Sequence, residues 1–128
     1  MILVDTSVWV HHLRGGDERL AALLEGGGVL MHPFVLGELA LGSLRQRDVI
    51  LTSLRDLPQA SVASDEEVLR FIAERRLFGL GIGYVDAHLL AAARLTAGAT
   101  LWTRDARLRG AAGRLGLAAN AWSVIAEG

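Results

Sequence analysis

Short apolar runs alternate along the chain with longer stretches in which apolar residues recur every three or four positions. A continuous aliphatic run at residues 2–4 predicts a strand buried on both faces, as in a parallel sheet. A brief apolar run at residues 29–31 and the segment 100–102 are further predicted strands. Residues 60–63 and 118–122 are weaker strand candidates. The pattern therefore predicts strands separated by helical segments.

Helical spacing of three and four residues marks the segments between these strands. Ser64 and Glu67 match a capping box, Asp17 is a predicted N-cap, and Pro58 predicts the end of a helix. The predicted helices are residues 7–13, 17–25, 34–41, 50–57, 64–72, 84–97 and 106–115.

This order predicts an α/β fold with a mostly parallel central sheet of about four to five strands, flanked by helices. A length of 128 residues predicts a single domain over 1–128. Ligands bind such sheets outside the carboxyl ends of the strands. Asp5 and Asp105 are expected there, each directly after or close behind a predicted strand.

Four carboxylates are candidates for chemistry. Asp86 and Glu38 lie on the apolar faces of their predicted helices, so we expect both to be partly buried. Buried carboxylates need cations or hydrogen-bond donors, and an oxygen-only donor set favours Mg²⁺, with Mn²⁺ as the alternative. Three of the four acids also have an ordinary interpretation: Asp5 and Asp105 as helix caps, and Asp86 as a first-turn acid facing the helix dipole.

Composition narrows the chemistry further. The chain has no cysteine, which excludes disulfides, thiolate zinc sites and cysteine nucleophiles. Its four histidines lack metal-ligand spacing and are interpreted as packing or surface residues. No apolar stretch approaches the ~20 residues of a membrane span, and cytoplasmic localisation is expected.

The balance of charge changes once the four acids are set aside. The net charge is -1, which alone does not suggest a polyanionic partner. Ten acidic and thirteen basic residues remain without those acids, a formal charge of +3, and every basic residue is arginine rather than lysine. Arginine suits phosphate and base recognition, although a codon bias would give the same composition.

The chain resembles the PIN-domain ribonucleases, and over its whole length the VapC-type toxins, in three stretches: LVDTSVW, PFVLGELALG and GYVDAHLLAAARLTAGATLWTRDARL. The resemblance implies a PIN-like three-layer fold and a Mg²⁺-dependent endoribonuclease that cleaves RNA phosphodiester bonds. It places the catalytic and metal-binding acids at Asp5, Glu38, Asp86 and Asp105. Supporting hydroxyls fall at Thr6, Ser7 and Thr103.

The same resemblance implies partners. They are an RNA substrate, a VapB-type antitoxin protein and a second copy of the chain in a homodimer, with DNA reached only through the antitoxin and no membrane involved. Arg104, Arg107 and Arg109 are candidate RNA contacts close to the last site acid, and solvated helix faces are the alternative explanation for them.

Two other functions remain open at this point. A non-catalytic PIN-like module would keep the acids to bind metal and a partner. A phosphotransfer domain would use Asp5 as its nucleophile, but such domains normally place a lysine near the phosphoryl group. The absence of lysine argues against the second alternative.

Overall fold

The computed structural model describes residues 1–120, and its centre is a parallel sheet of three strands. These are β1 (Ile2–Val4), β2 (Val29–Leu30) and β3 (Thr100–Trp102), in the order β2-β1-β3. Both pairings are parallel, with Ile2 opposite Val29 on one side and Thr100 on the other. The first strand of the chain is therefore the central one.

Seven helices surround the sheet in the described part of the chain. Asp17 accepts hydrogen bonds from two backbone amides of α2, and both arms of the Ser64–Glu67 capping box form at α5, which confirms the predicted caps. The helices are α1 (Thr6–Gly15), α2 (Glu18–Glu25), α3 (Pro33–Ala40), α4 (Arg47–Arg55), α5 (Asp65–Glu74), α6 (Tyr84–Leu95) and α7 (Ala106–Arg114).

The two sheet edges differ from the prediction. Residues 60–63 and 118–122 were predicted as strands, but each edge has one isolated bridge, Gln59 to Met31 and Ala118 to Leu101. Beyond the first bridge, the Ser61 amide donates to the Thr96 hydroxyl at 2.9 Å instead of continuing a ladder. Residues 121 and 122 lie outside the described part.

The core fills both faces of the sheet and encloses α6. Every residue of β1 is buried, and so is each residue from Ala87 to Ala93 of α6. Four alanines in that stretch let neighbouring elements approach the helix on all sides. Among residues 1–120, no helix combines the length and the apolar character needed to cross a membrane.

Candidate active site

Asp5 occupies the end of the central strand. Its amide donates to the Trp102 carbonyl at 2.9 Å, and its side chain is only 7% exposed. Although Asp5 is the N-cap residue of α1, its carboxylate accepts no capping hydrogen bond, so the capping interpretation is wrong for this residue. Instead Oδ2 accepts from the hydroxyls of Ser7 at 2.7 Å and Thr103 at 2.8 Å.

These two hydroxyls join segments that are distant in sequence. The Ser7 and Thr103 hydroxyl oxygens lie 3.3 Å apart across a separation of 96 residues. The Arg104 amide donates to Ser7 Oγ at 3.0 Å, and the Asp105 amide donates to Thr103 Oγ1 at 3.0 Å. The network therefore orients the Asp5 carboxylate and fixes the backbone that carries Asp105.

Asp86 and Asp105 both lie at helix N-termini. Asp105 Oδ1 accepts from the Leu108 amide at 2.9 Å, which confirms the capping interpretation for that residue. Asp86 is half-buried in the first turn of α6, and its Oδ2 accepts from the Gly83 amide at 2.9 Å. Local backbone thus positions each of these carboxylates through one oxygen.

Glu38 is exposed, so the prediction that it is partly buried is wrong. Of the three apolar residues that define its helix face, Leu41 is 90% and Phe34 is 37% exposed, and only Val35 is buried in the core. Thr6 Oγ1 donates to Glu38 Oε1 at 2.7 Å and ties α3 to the first turn of α1. Glu38 therefore reaches the site from its solvent side.

All four acids share one pattern of hydrogen bonding. Each uses a single carboxylate oxygen for the bonds given above, while its second oxygen accepts none from the residues that the structure describes. The four are Asp5, Glu38, Asp86 and Asp105. The second oxygens are consequently the available ligands of this site.

The carboxylates also share one electrostatic field. Burial raises the pKa of Asp86 above its ordinary value, and although the hydrogen bond from Gly83 lowers that pKa, the negative charges of Asp5, Asp105 and Glu38 raise it further. Within residues 1–120, the ion pairs involve Asp17 and Asp65 and none of the site acids. The mutual repulsion of the acids is therefore uncompensated by protein cations.

The chemistry of these donors fits a hard divalent cation such as Mg²⁺. Their placement fits less completely, because no three His, Asp or Glu side chains in the described part of the chain are arranged to hold one ion together. Repulsion between like charges keeps such groups apart, and Glu38 and Asp105 are exposed enough to turn. The residues thus fit the ion by charge and donor type, with side-chain rotation needed for ligation.

The predicted arginines lie around the junction of β3 and α7. Arg109 Nη2 donates to the Thr103 carbonyl at 3.5 Å. Arg107 covers the backbone of Gly81, where a Cβ would come within 2.7 Å of Arg107 Nη1. Arg104 is exposed. All three are thus close in sequence to Thr103 and Asp105, and two of them contact other segments.

Sequence reasoning missed two residues beside this site, Arg19 and Trp102. They line one cavity together with Thr103, Arg104 and Arg109. No local pattern marks them, because the contact between Arg19 of α2 and Trp102 of β3 joins residues that are distant in sequence.

Comparisons with known proteins agree with this geometry. The family model of the PIN domain matches residues 2–114. Ribonuclease VapC32 of Mycobacterium tuberculosis is 53% identical over 118 residues, which cover 92% of this chain and 95% of that protein, in strains CDC 1551 / Oshkosh and ATCC 25618 / H37Rv alike. The crystal structure of FitAcB from Neisseria gonorrhoeae matches with a TM-score of 0.63 and 27% identity, over 95% of this chain and 99% of that one.

A parallel sheet with acids grouped at its carboxyl end, matched by the family model over most of its length, is a PIN domain: the chain belongs to the PIN-domain family. Within that family it is a VapC-type member, as its identity to Ribonuclease VapC32 shows. The predicted family, fold and nuclease class are thereby confirmed.

Proposed function

We propose that this chain is a Mg²⁺-dependent endoribonuclease and the toxin of a type II toxin–antitoxin pair, with Mn²⁺ as an alternative ion. The observation that carries the proposal is the group of four mutually repelling carboxylates, each with one oxygen that accepts no hydrogen bond from the described residues. The relative named Ribonuclease VapC32 supports RNA as the substrate.

The protein residues divide the work of such a site. Asp5 and Asp86 are the proposed principal metal ligands, and Asp105 binds directly or through water. Glu38 Oε2 binds the ion or orients the attacking water, while Thr6 holds Oε1. Bound divalent ions polarise the scissile phosphate and lower the pKa of the attacking water. No side-chain nucleophile is needed.

The hydroxyl groups of Ser7 and Thr103 support these ligands through hydrogen bonds. Ser7 and Thr103 both donate to Asp5 Oδ2, which fixes the carboxylate rotamer and directs Oδ1 away from them. The Asp105 amide is held by the same Thr103 hydroxyl. A single hydroxyl therefore aligns two of the proposed metal ligands.

Replacement of Asp5 by Asn tests the proposal. Asp5→Asn is expected to abolish RNA cleavage in Mg²⁺, and EDTA is expected to abolish cleavage by the unmodified chain. The variant should be as stable as the unmodified protein or more so, because one of the repelling charges is gone while the amide oxygen can still accept from Ser7 and Thr103. Gel analysis of structured RNAs measures cleavage, and urea denaturation measures stability.

Asp56→Asn is the matched control, since it makes the same change at an exposed position after α4. It should cleave normally. Unchanged cleavage by Asp5→Asn, or full cleavage in EDTA, would contradict the mechanism. No cleavage by the unmodified chain under any condition would favour the non-catalytic metal- and partner-binding module.

We also propose a groove for the antitoxin, a VapB-type protein. A cavity of about 590 Å³ lies between α1 and the segment joining α3 to α4, with Glu38 in its wall. Leu13 and Ile50 give it apolar surface, and Arg14 and Arg45 add positive charge. A segment bound there would cover Glu38 and block the site.

Charge reversal tests this groove. Arg45→Glu is expected to weaken co-purification with the co-expressed antitoxin while RNA cleavage by the free chain persists. Arg55→Glu, at an exposed position near the end of α4, is the matched control. Equal recovery of the complex with both variants would place the antitoxin elsewhere.

A homodimer is proposed as well. Leu69 and Phe78 are apolar yet 60% and 64% exposed, which suits a surface covered by a second copy. Light scattering should give the mass of two chains, and Leu69→Asp should shift it towards one.

A further inference from the structure

A second cavity lies beside the acidic site and has the opposite charge. Its volume is about 370 Å³, and it opens where β3 ends. Its functional lining consists of Arg19, Trp102, Thr103, Arg104 and Arg109, which we call the arginine pocket. No acidic residue lines it in the described part of the chain, although Thr103, which does line it, donates a hydrogen bond to Asp5.

Two of its members are already held as a stacked pair. The guanidinium carbon of Arg19 lies 5.8 Å from the centroid of the Trp102 ring, within the range of a cation–π contact. Asp17, itself buried, contacts Arg19 Nη2 at 3.5 Å from the other side. The pair thus places a guanidinium group and an aromatic ring side by side, and nucleic-acid bases stack on both kinds of group.

The other two arginines supply positive charge near the same surface. Arg109 is anchored to the Thr103 carbonyl. The Arg104 backbone is fixed by Ser7, while its exposed side chain makes no ion pair within residues 1–120. Guanidinium groups bind phosphate oxygens in a bidentate manner, so this side of the pocket suits a phosphodiester.

Thr103 connects the pocket with the acids. It lines the cavity, and its hydroxyl donates to Asp5 Oδ2 at 2.8 Å. A nucleotide in the pocket would therefore lie next to a phosphate held at the carboxylates.

We propose that the arginine pocket binds one nucleotide of single-stranded RNA adjacent to the scissile phosphate. The Arg19–Trp102 pair stacks on the base, and Arg104 and Arg109 bind the phosphate. This inference rests on the proposed function and adds a positioning site to it. Because stacking on Trp102 and Arg19 needs a base that is free of its own helix, the pocket selects unpaired nucleotides over a continuous duplex.

Binding of a short fluorescein-labelled single-stranded RNA to the Asp5→Asn chain, with Mg²⁺ present, tests the pocket without cleavage. When Arg104→Gln or Arg109→Gln is added to the Asp5→Asn chain, RNA binding should weaken. Between about 50 and 200 mM salt, the slope of log affinity against log salt should also become shallower, by about 0.7 for each phosphate that the variant no longer neutralises. Arg55→Gln is the control and should change neither quantity.

Trp102 gives a separate readout. Trp102→Leu should weaken binding about 5- to 150-fold, the range of one base–aromatic stack, with an unchanged salt slope. Trp102→Phe keeps an aromatic ring and should restore most of the affinity, which separates stacking from a loss of folding.

The outcomes are distinct from those of the proposed function. If these variants bind RNA as tightly as the Asp5→Asn parent does, the proposed role of the arginine pocket is overturned, even when Mg²⁺-dependent cleavage persists. The same holds if Arg55→Gln weakens RNA binding as much as the pocket variants do. If the pocket variants lose affinity for polyglutamate but not for RNA, the pocket belongs to an acidic protein partner and the proposal fails. With Asp5 intact, the same variants should raise KM for RNA and leave kcat unchanged.

Discussion

His32 is predicted to make the folded chain sensitive to mild acid. Its side chain is fully buried, and its Nδ1 accepts the Phe34 amide at 3.0 Å as the N-cap of α3. Burial, and then the positive charge of His88, lower the pKa of His32 from 6.5 to about 4. Protonation would also remove the lone pair that accepts the capping hydrogen bond.

The sign and the size of the effect follow from proton linkage. Because the folded pKa of His32 lies below the unfolded value, the unfolded chain binds more protons between pH 6.5 and about 4. The stability that uncharged His32 contributes is complete above pH 6.5 and is lost as the pH falls from 6.5 to about 4. At about 1.4 kcal/mol for each pH unit, the free energy of unfolding falls by about 3 kcal/mol, a large share of a typical domain's stability.

The assay is urea denaturation of the unmodified chain and His32→Asn from neutral pH down to pH 4. Asn keeps a capping acceptor but does not titrate, so its packing defect is constant with pH. The stability gap between the two proteins should narrow by about 3 kcal/mol as the pH falls. A gap that stays constant would refute the argument, since other titrating groups are common to both proteins.

Three further substitutions give expected outcomes. Thr103→Val should reduce RNA cleavage about 10- to 100-fold by releasing Asp5, while Thr103→Ser retains activity, as measured by initial rates. Gly81→Ala should lower the free energy of unfolding by about 1–2 kcal/mol, because φ is +76° there. The clash of the new Cβ with Arg107 adds to this loss, and in a double-mutant cycle Arg107→Ala should relieve only that added part. Ser64→Ala should cost about 1 kcal/mol in urea denaturation, and Ser64→Asp should restore most of it.

Features with a local cause could be predicted from the sequence. The Ser64 cap needs only neighbouring residues, and the first two strands needed only their continuous apolar character. The Asp5 carboxylate was the informative exception. It follows a buried strand, and the capping bond that would have explained it is absent from the described structure.

Features that depend on distant partners could not be predicted. Periodicity placed Glu38 on an apolar helix face, but it does not reveal how much of that face meets the core: Val35 does, whereas Leu41 and Glu38 lie at the surface. At the sheet edge near residue 60, the Ser61 amide donates to the hydroxyl of Thr96, 35 residues away, and does not pair with a strand. The contact between Arg19 and Trp102 likewise joins residues far apart in the sequence, and no local pattern indicates it.

The hydrogen bonds from the Ser7 and Thr103 hydroxyls to Asp5 have a consequence for biosynthesis. Asp5 is translated almost at once, whereas Thr103, which orients it, follows 98 residues later. At about 5–20 residues per second, a growing chain spends roughly 5 to 20 s with its first acid made and its partner missing. The proposed cleavage centre therefore cannot assemble until nearly all of the sheet-forming chain has been produced.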